Sequence, residues 1–287
     1  MAYEILTDTS SDLLWDMYRD LNIGITPLSV NIGGEEFTDD ESVNPKDFYG
    51  KLRTKIPAHT SQVTSVQFTE FFEETLKRGN DVFYLGLSAS LSGTCNSACV
   101  ARDELLEKYP DRKIYVADSA SVTLGSGIML LALCDIRDKN GSLEDVIAFY
   151  EENRLRVHHL FTVSDLMFLF RGGRLPRTSA IMGTMLGMKP VLHVTPDGKL
   201  TAHGKVRGRK PSLDALVKEM GENSDTKEFE YIGIVHGDCV EDAEYVLSQI
   251  RESFTVKNPV INFLCPTVGC HSGPGTIALF FFGKERE

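Results

Sequence analysis

The sequence has no run of 18 apolar residues, so no segment is long enough to cross a bilayer as a helix, and stable membrane insertion is not expected. It also has no surplus of basic charge. Its 30 Lys and Arg face 41 Asp and Glu, a net charge of −11, which argues against nucleic acid as a partner. Cysteine is sparse and scattered, at positions 95, 99, 134, 239, 265 and 270, without the paired spacing of a zinc site. His271 beside Cys270 keeps a metal reading open, but reduced thiols in a core fit better. No Walker loop, kinase signature or cluster of metal-binding carboxylates is present, and no linker rich in Pro, Gly or Ser divides the chain. The opening Met1–Leu6 reads as a strand without a basic leader, so the expected location is cytoplasmic.

What is present is a repeated alternation of strand, hydroxyl-rich loop and helix. The 287 residues suffice for one large or two medium domains. Val82–Leu85 is a short apolar run, Gly86–Thr94 a loop containing Ser88, Ser90, Ser92 and Thr94, and residues 95–109 a helical pattern. The same order recurs at Tyr3–Thr7 with Asp8–Asp12, and at Lys113–Ala117 with Asp118–Ser121. Thr60–Thr64 is a further loop, followed by the capping box Thr64-Ser65-Val66-Gln67 and a helix with Phe68, Phe71, Phe72 and Leu76 on one face. A helix from Gly125 to Asp138 and another from Leu143 to Arg154 complete this half. Such alternation implies a parallel sheet covered on both faces, with ligands at the carboxyl ends of its strands.

The texture changes near residue 156. Strands are expected at 158–163, 190–195, 199–205, 231–235, 260–264 and 276–282, and helices at 164–170, 179–186, 212–220 and 241–251. The expected fold is therefore α/β: an N-terminal three-layer domain with a parallel sheet, residues 1–156, and a C-terminal two-layer α/β domain with a mixed sheet and helices on one side, residues 157–287.

Helix starts carry unpaired N–H groups and partial positive charge, so the loop 88–94 suits an anion. Without a Lys in phosphate-loop position, that anion is a carboxylate or a single phosphate. The same hydroxyls also serve as helix caps. A second reading is a serine hydrolase. Gly86-Leu87-Ser88-Ala89-Ser90 is one residue away from a nucleophile elbow, with His271 as base and Asp238 as orienter. A sugar-phosphate module and a purely structural partner are further readings. Two basic islands, Arg171–Arg177 and Lys205–Lys210, stand out in the acidic chain.

Taken together, the motifs resemble the DegV family. The resemblance rests on Thr7-Asp8-Thr9-Ser10-Ser11-Asp12, Thr60-Ser61-Gln62, Leu91-Ser92-Gly93-Thr94, Asp118-Ser119, Arg171-Gly172-Gly173-Arg174 and His271-Ser272-Gly273-Pro274-Gly275, in that order. Val63, Ala89-Ser90 and Cys95 depart from the family's usual Pro, Ser-Gly and aromatic. The better understood members are the fatty-acid-binding subunits of a bacterial fatty acid kinase. The resemblance implies a long-chain fatty acid, of palmitate, stearate or oleate type, in a tunnel between two domains, and no other cofactor. Thr60 and Ser92 would bind its carboxylate with His271 nearby, within motifs that also contribute Ser61, Gly93 and Thr94. Arg171, Arg174 and Arg207 would face a separate ATP-dependent kinase or the acyl phosphate, which is then held for an acyltransferase in phospholipid synthesis. The chain itself would be a carrier and not an enzyme.

A buried chain of about 16 carbons gains on the order of 12 kcal/mol gross, against roughly 1.5–3 kcal/mol for each hydrogen bond to the carboxylate. The tunnel would set affinity and the hydroxyls orientation. Candidates for its lining are Ile128–Leu133, Ile181, Met182, Met185, Leu186 and Met188, with ordinary core as the alternative.

Overall fold

A computed structural model describes residues 2–176 and 187–287. Arg177 and the helix expected at 179–186, with Ile181, Met182, Met185 and Leu186, lie outside the described residues.

In chain order the first half contains β1 (Tyr3–Asp8), α1 (Trp15–Asp20), β2 (Gly24–Thr26), β3 (Ser29–Ile32), β4 (Glu35–Thr38), α2 (Pro45–Arg53) and β5 (Ala58–Ser61). It continues with α3 (Ser65–Lys77), β6 (Asp81–Gly86), α4 (Thr94–Lys108), β7 (Ile114–Asp118), α5 (Leu124–Asp138) and α6 (Leu143–Asn153). The remainder contains β8 (Val157–Thr162), α7 (Met167–Arg171), β9 (Met188–Val194), β10 (Leu200–Arg207) and α8 (Arg209–Asn223). Then come β11 (Glu228–His236), α9 (Val240–Arg251), β12 (Thr255–Phe263), α10 (Pro266–Ser272) and β13 (Ile277–Phe282).

The fold is α/β with two main sheets. A four-stranded parallel sheet has the order β2-β1-β6-β7. Every residue of β6 is buried, as expected of a central parallel strand covered on both faces. Leu6, Val82 and Tyr84 pack against α3 and α4, while Ile5, Phe83 and Leu85 face the other way into the main core. The six-stranded sheet, β10-β9-β8-β13-β11-β12, is mixed: β11 and β12 run parallel and the other pairs antiparallel.

Two local expectations are corrected. Thr60 and Ser61 are not in a loop after a parallel strand. They belong to β5, which pairs antiparallel with β3 in a small third sheet, β4-β3-β5. The segment Asp8–Asp12 is not a plain loop leading into a helix: Asp8 caps a short 3-10 turn, Thr9–Ser11, and α1 starts only at Trp15, without a side-chain cap. The mixed sheet carries the helices of its own half on one face, as expected, and its other face is covered by α5 of the first half. Leu213, Leu216, Val246 and Ile250 of α8 and α9 cover Ile232, Ile234, Leu279 and Phe281. The opposite face, with Phe161, Val235 and Phe280, meets α5.

The helix α5 is thus apolar nearly all round because it lies between two sheets. A Cβ on Gly125 would press on the Phe280 ring at 3.0 Å, and one on Gly127 would press on the Ser11 carbonyl at 2.7 Å. The two glycines admit the helix to both neighbours. Ile128, Met129, Leu130, Leu131 and Leu133 are buried in this shared core. Among the described residues, no helix is long and apolar enough to cross a membrane.

Candidate functional site

The carboxyl edge of the parallel sheet is tied together by its own loops. Ser119 N–H donates to Gly86 O (3.1 Å), Ser88 N–H to Ser121 O (2.8 Å) and Thr123 N–H to Ser10 O (2.7 Å). Hydroxyls of Ser10, Ser11 and Ser119 are likewise engaged within these loops. Of the four hydroxyl-rich loops, the segments that contribute most to a binding wall are therefore 87–93 and the strand carrying Thr60.

A cavity of about 150 Å³ lies between this edge and the inner face of the mixed sheet. Its apolar wall includes Leu28, Leu87, Leu91, Val122, Phe161 and Ala278. At one end Thr60, Gln62, Ser92, Gly93, Arg174 and His271 supply polar groups. Thr60 Oγ1 and His271 Nε2 share a hydrogen bond of 2.8 Å, although the residues are 211 positions apart. Ser92 Oγ lies 2.9 Å from Thr94 Oγ1 and accepts the Thr94 N–H at 3.3 Å, at the start of the 15-residue α4. Gln62 Nε2 donates to Ser97 Oγ at 3.0 Å. A Cβ on Gly93 would overlap the Gln62 amide, so glycine there lets Gln62 lie along the loop.

His271 stands on α10, which local pattern does not foretell. Asp39 fixes the start of that helix: its Oδ2 accepts the Thr267 N–H at 2.8 Å and the Thr267 hydroxyl. Tyr49 of α2 donates to Leu264 O at 2.8 Å from the other side. Burial pushes the His271 pKa down to about 4, with Arg174 and His59 adding repulsion, so the ring is neutral at neutral pH. A neutral imidazole and hydroxyls present hydrogen-bonding groups without a clamping charge. Arg174 stands at the same end, where its guanidinium donates to Leu91 O (3.1 Å) and Gly172 O.

On the far side of Thr60 and His271 lies a larger groove of about 670 Å³. Lys55, His59, Arg171 and Arg174 line it, and among the described residues no Asp or Glu does. Thr60, Arg174 and His271 belong to both walls, so they form the partition between cavity and groove.

The expected residues separate accordingly. Thr60, Ser92, Gly93, His271 and Arg174 converge; Arg171 lines the groove. Thr94 supports Ser92 without lining the cavity. Ser61, the next residue along β5, is exposed, because successive side chains of a strand face opposite sides. Arg207 is exposed on β10 and lines neither space. Ile128–Leu133 fill the shared core and Met188 lies on β9, so neither supplies the cavity wall. Lys55, His59, Gln62, Thr123 and His159 were not expected. Only Gln62 had a signal, its place in Thr60-Ser61-Gln62.

The hydrolase reading is corrected. Ser88 is fully buried and its hydroxyl donates to Gly198 O at 2.9 Å. Asp238 pairs with Arg53, and His271 with Thr60, so no Ser-His-Asp relay exists. Among the described residues, no three His, Cys, Asp or Glu side chains are placed to hold a metal ion. Cys270 is buried and its thiol is pushed up to about 12 by desolvation.

Two α/β sheets enclosing an apolar cavity with hydroxyls, an imidazole and Arg174 at one end form a small-molecule-binding architecture. The family profile described as "uncharacterised protein, DegV family" matches residues 2–284, and the chain belongs to the DegV family. A DegV domain-containing protein of Clostridium perfringens is 41% identical over 287 residues, covering 99% of both chains. A solved DegV family protein from Thermus thermophilus, described for its fatty acid binding, is 29% identical with a TM-score of 0.90, covering 99% of this chain and 100% of its own. A DegV lipid-binding protein from Thermotoga maritima is 26% identical with a TM-score of 0.88 and full coverage of both.

Proposed function

We propose that this protein binds one long-chain fatty acid, of palmitate, stearate or oleate type, in the cavity between its halves, residues 1–156 and 157–287. The carboxylate sits at the partition, where the hydroxyls of Thr60 and Ser92 donate to it beside neutral His271. The fatty-acid and lipid binding described for the Thermus and Thermotoga relatives supports the ligand class.

The observation that carries the reading is the shared partition. A carboxylate at Thr60 and His271 is reached from the cationic groove without the acyl chain leaving the apolar cavity. Phosphoryl transfer needs cations near the developing charge. Arg171 and Arg174, with Lys55 and His59, suit a docked ATP-dependent kinase or the acyl phosphate it makes. The protein is then a cytoplasmic carrier that retains the acyl phosphate for an acyltransferase in phospholipid synthesis, and the kinase supplies the ATP site.

Denaturing extraction of purified protein, followed by mass spectrometry alongside its intact native mass, tests the ligand. A stoichiometric long-chain fatty acid is expected. Protein that emerges empty and takes up neither palmitate nor oleate would refute the carrier reading. Replacing both hydroxyls, Thr60→Ala with Ser92→Ala, weakens retention modestly, because burial of the chain dominates affinity. Complete loss of binding would contradict that division of labour.

A further inference from the structure

Gln62 is exposed and also lines the cavity, so its side chain stands at the mouth. Its place follows from the strand before it. Side chains alternate along an extended chain, so Thr60 and Gln62 face one way and Ser61 the other. Thr60 and Gln62 accordingly line the cavity and Ser61 does not. Thr60 and His271 also border the cationic groove, and Gln62 stands off it.

The carboxamide is anchored on α4. Its Nε2 donates to Ser97 Oγ at 3.0 Å. Ser97 lies one turn into the helix, where its N–H donates to Gly93 O at 3.0 Å. A Cβ on Gly93 would overlap Gln62 Oε1 and come within 3.0 Å of Cδ and 3.1 Å of Nε2. The amide thus lies across the first turn of α4, against the residue next to Ser92. That turn contains no acidic residue, and its free backbone N–H groups carry partial positive charge.

The hydrogen-bonding capacity of the amide is not spent there. A carboxamide has two N–H donors and one carbonyl. With Nε2 on Ser97, one N–H remains. With the amide turned over, its oxygen accepts from the Ser97 hydroxyl and both N–H groups remain. In either orientation a donor is left over at the polar end of the cavity, and among the described residues no acceptor takes it.

We propose that Gln62 is a third donor to the fatty-acid carboxylate, and that it makes the site favour an ionised carboxyl head over a neutral one. The proposal rests on the acyl-cavity reading above. A carboxylate accepts about four hydrogen bonds across its two oxygens. Thr60 and Ser92 supply two, and the Gln62 N–H supplies another without adding a cation. An ester head on the same chain is uncharged, so it gains less from the extra donor.

The test is displacement of a fluorescent fatty-acid analogue from delipidated protein by stearate and by methyl stearate. Gln62→Ala should cost stearate about five- to ten-fold, as loss of a single hydrogen bond does, and methyl stearate less than about two-fold. Gln62→Glu keeps the size and still accepts from Ser97, but it sets a negative charge beside the carboxylate. It should cost stearate more than about ten-fold and leave methyl stearate unchanged. Gln62 is exposed, so both variants should melt with the wild type. Stearate binding that Gln62→Ala leaves unchanged overturns the assignment and hands the amide to water. Losses that fall equally on stearate and its ester overturn it too, since they mark Gln62 as a tie between β5 and α4 and nothing more. Wild type that binds neither stearate nor palmitate overturns the acyl-cavity reading, and the third donor with it.

Discussion

His271 can stand where it does because residue 172 has no side chain. A Cβ on Gly172 would overlap Nδ1 of the imidazole, while its own φ of −69° is open to any residue. Gly172→Ala therefore probes the site rather than the backbone. It should push the ring off Thr60 and weaken fatty-acid retention about five- to ten-fold, the worth of roughly one hydrogen bond, with little change in melting temperature. Gly173→Ala is the converse. Its φ of 73° disfavours any side chain, yet nothing lies within 4 Å of the added Cβ. It should cost about 1 kcal/mol of stability and leave binding intact. Displacement titration with thermal melts separates the two, and the opposite pattern would remove His271 from the site. The same histidine sets a pH signature. Its pKa is about 4 when folded and near 6.5 when unfolded. As pH falls from 6.5 to 4, the unfolded chain takes a proton that the folded chain refuses, so stability falls. Asp39 acts with the opposite sign: burial raises its pKa from 3.8 to about 6. The folded chain protonates it first, and stability rises as pH drops from 6 to 3.8. The two windows overlap and mask each other in the wild type. His271→Asn should unmask Asp39, gaining on the wild type by up to about 3 kcal/mol between pH 6.5 and 4. Urea midpoints across that range check it, and a pH-independent difference would show that His271 is not held neutral.

At the scale of elements, α10 is the piece on which the site depends and the piece hardest to read. It has seven residues, with Gly269 inside, and too little apolar periodicity to show a face. Pro266 at its first turn and Gly273 just past its end, with φ of 80°, were the legible signs. What builds it is remote: Asp39 at its start, Tyr49 before it and Thr60 at its end. The strand β5 was illegible for the same reason. Ala58-His59-Thr60-Ser61 has no strand signature of its own and is a strand because β3 pairs with it. The strands β1 and β6 were readable because burial on both faces writes apolar runs into the sequence, and the edge strand β7 by its run Ile114-Tyr115-Val116-Ala117. Asp39→Ala should test the dependence. It removes the cap on Thr267 and should cost about 1–3 kcal/mol, together with a several-fold loss of fatty-acid retention as His271 loosens. Asp39→Asn keeps an acceptor and discards a buried charge, so at pH 7 it should equal or exceed the wild type in urea. If Asp39→Ala binds normally, α10 is held by packing alone.

At the scale of the whole molecule, the question is whether two sheets make two folding units. The change of texture near residue 156 coincides with the passage from the parallel to the mixed sheet, and that much was visible in the residues. The sharing of α5 was not, since an all-round apolar helix shows that it is buried and not what buries it. One core runs from Ile5 and Phe83 through Leu124 and Ile128 to Val235 and Phe280. Arg286 adds a polar tie: it is 8% exposed and donates to carbonyls of Ala120, Arg154, Leu155, Val194 and Thr195. Unfolding either half strips α5 of a wall and leaves those carbonyls without their cation, so neither half should survive the other. Calorimetry of the delipidated protein should show one transition with equal calorimetric and van't Hoff enthalpies. A ligand that spans the same junction binds only the intact pair. At a hundred-fold excess over Kd it should add about 2.7 kcal/mol, raising the midpoint by roughly 4–5 °C for a chain of this size without splitting the peak. Two resolved transitions, with fatty acid moving only one, would mean that α5 serves one half and merely touches the other, and that the cavity belongs to that half alone.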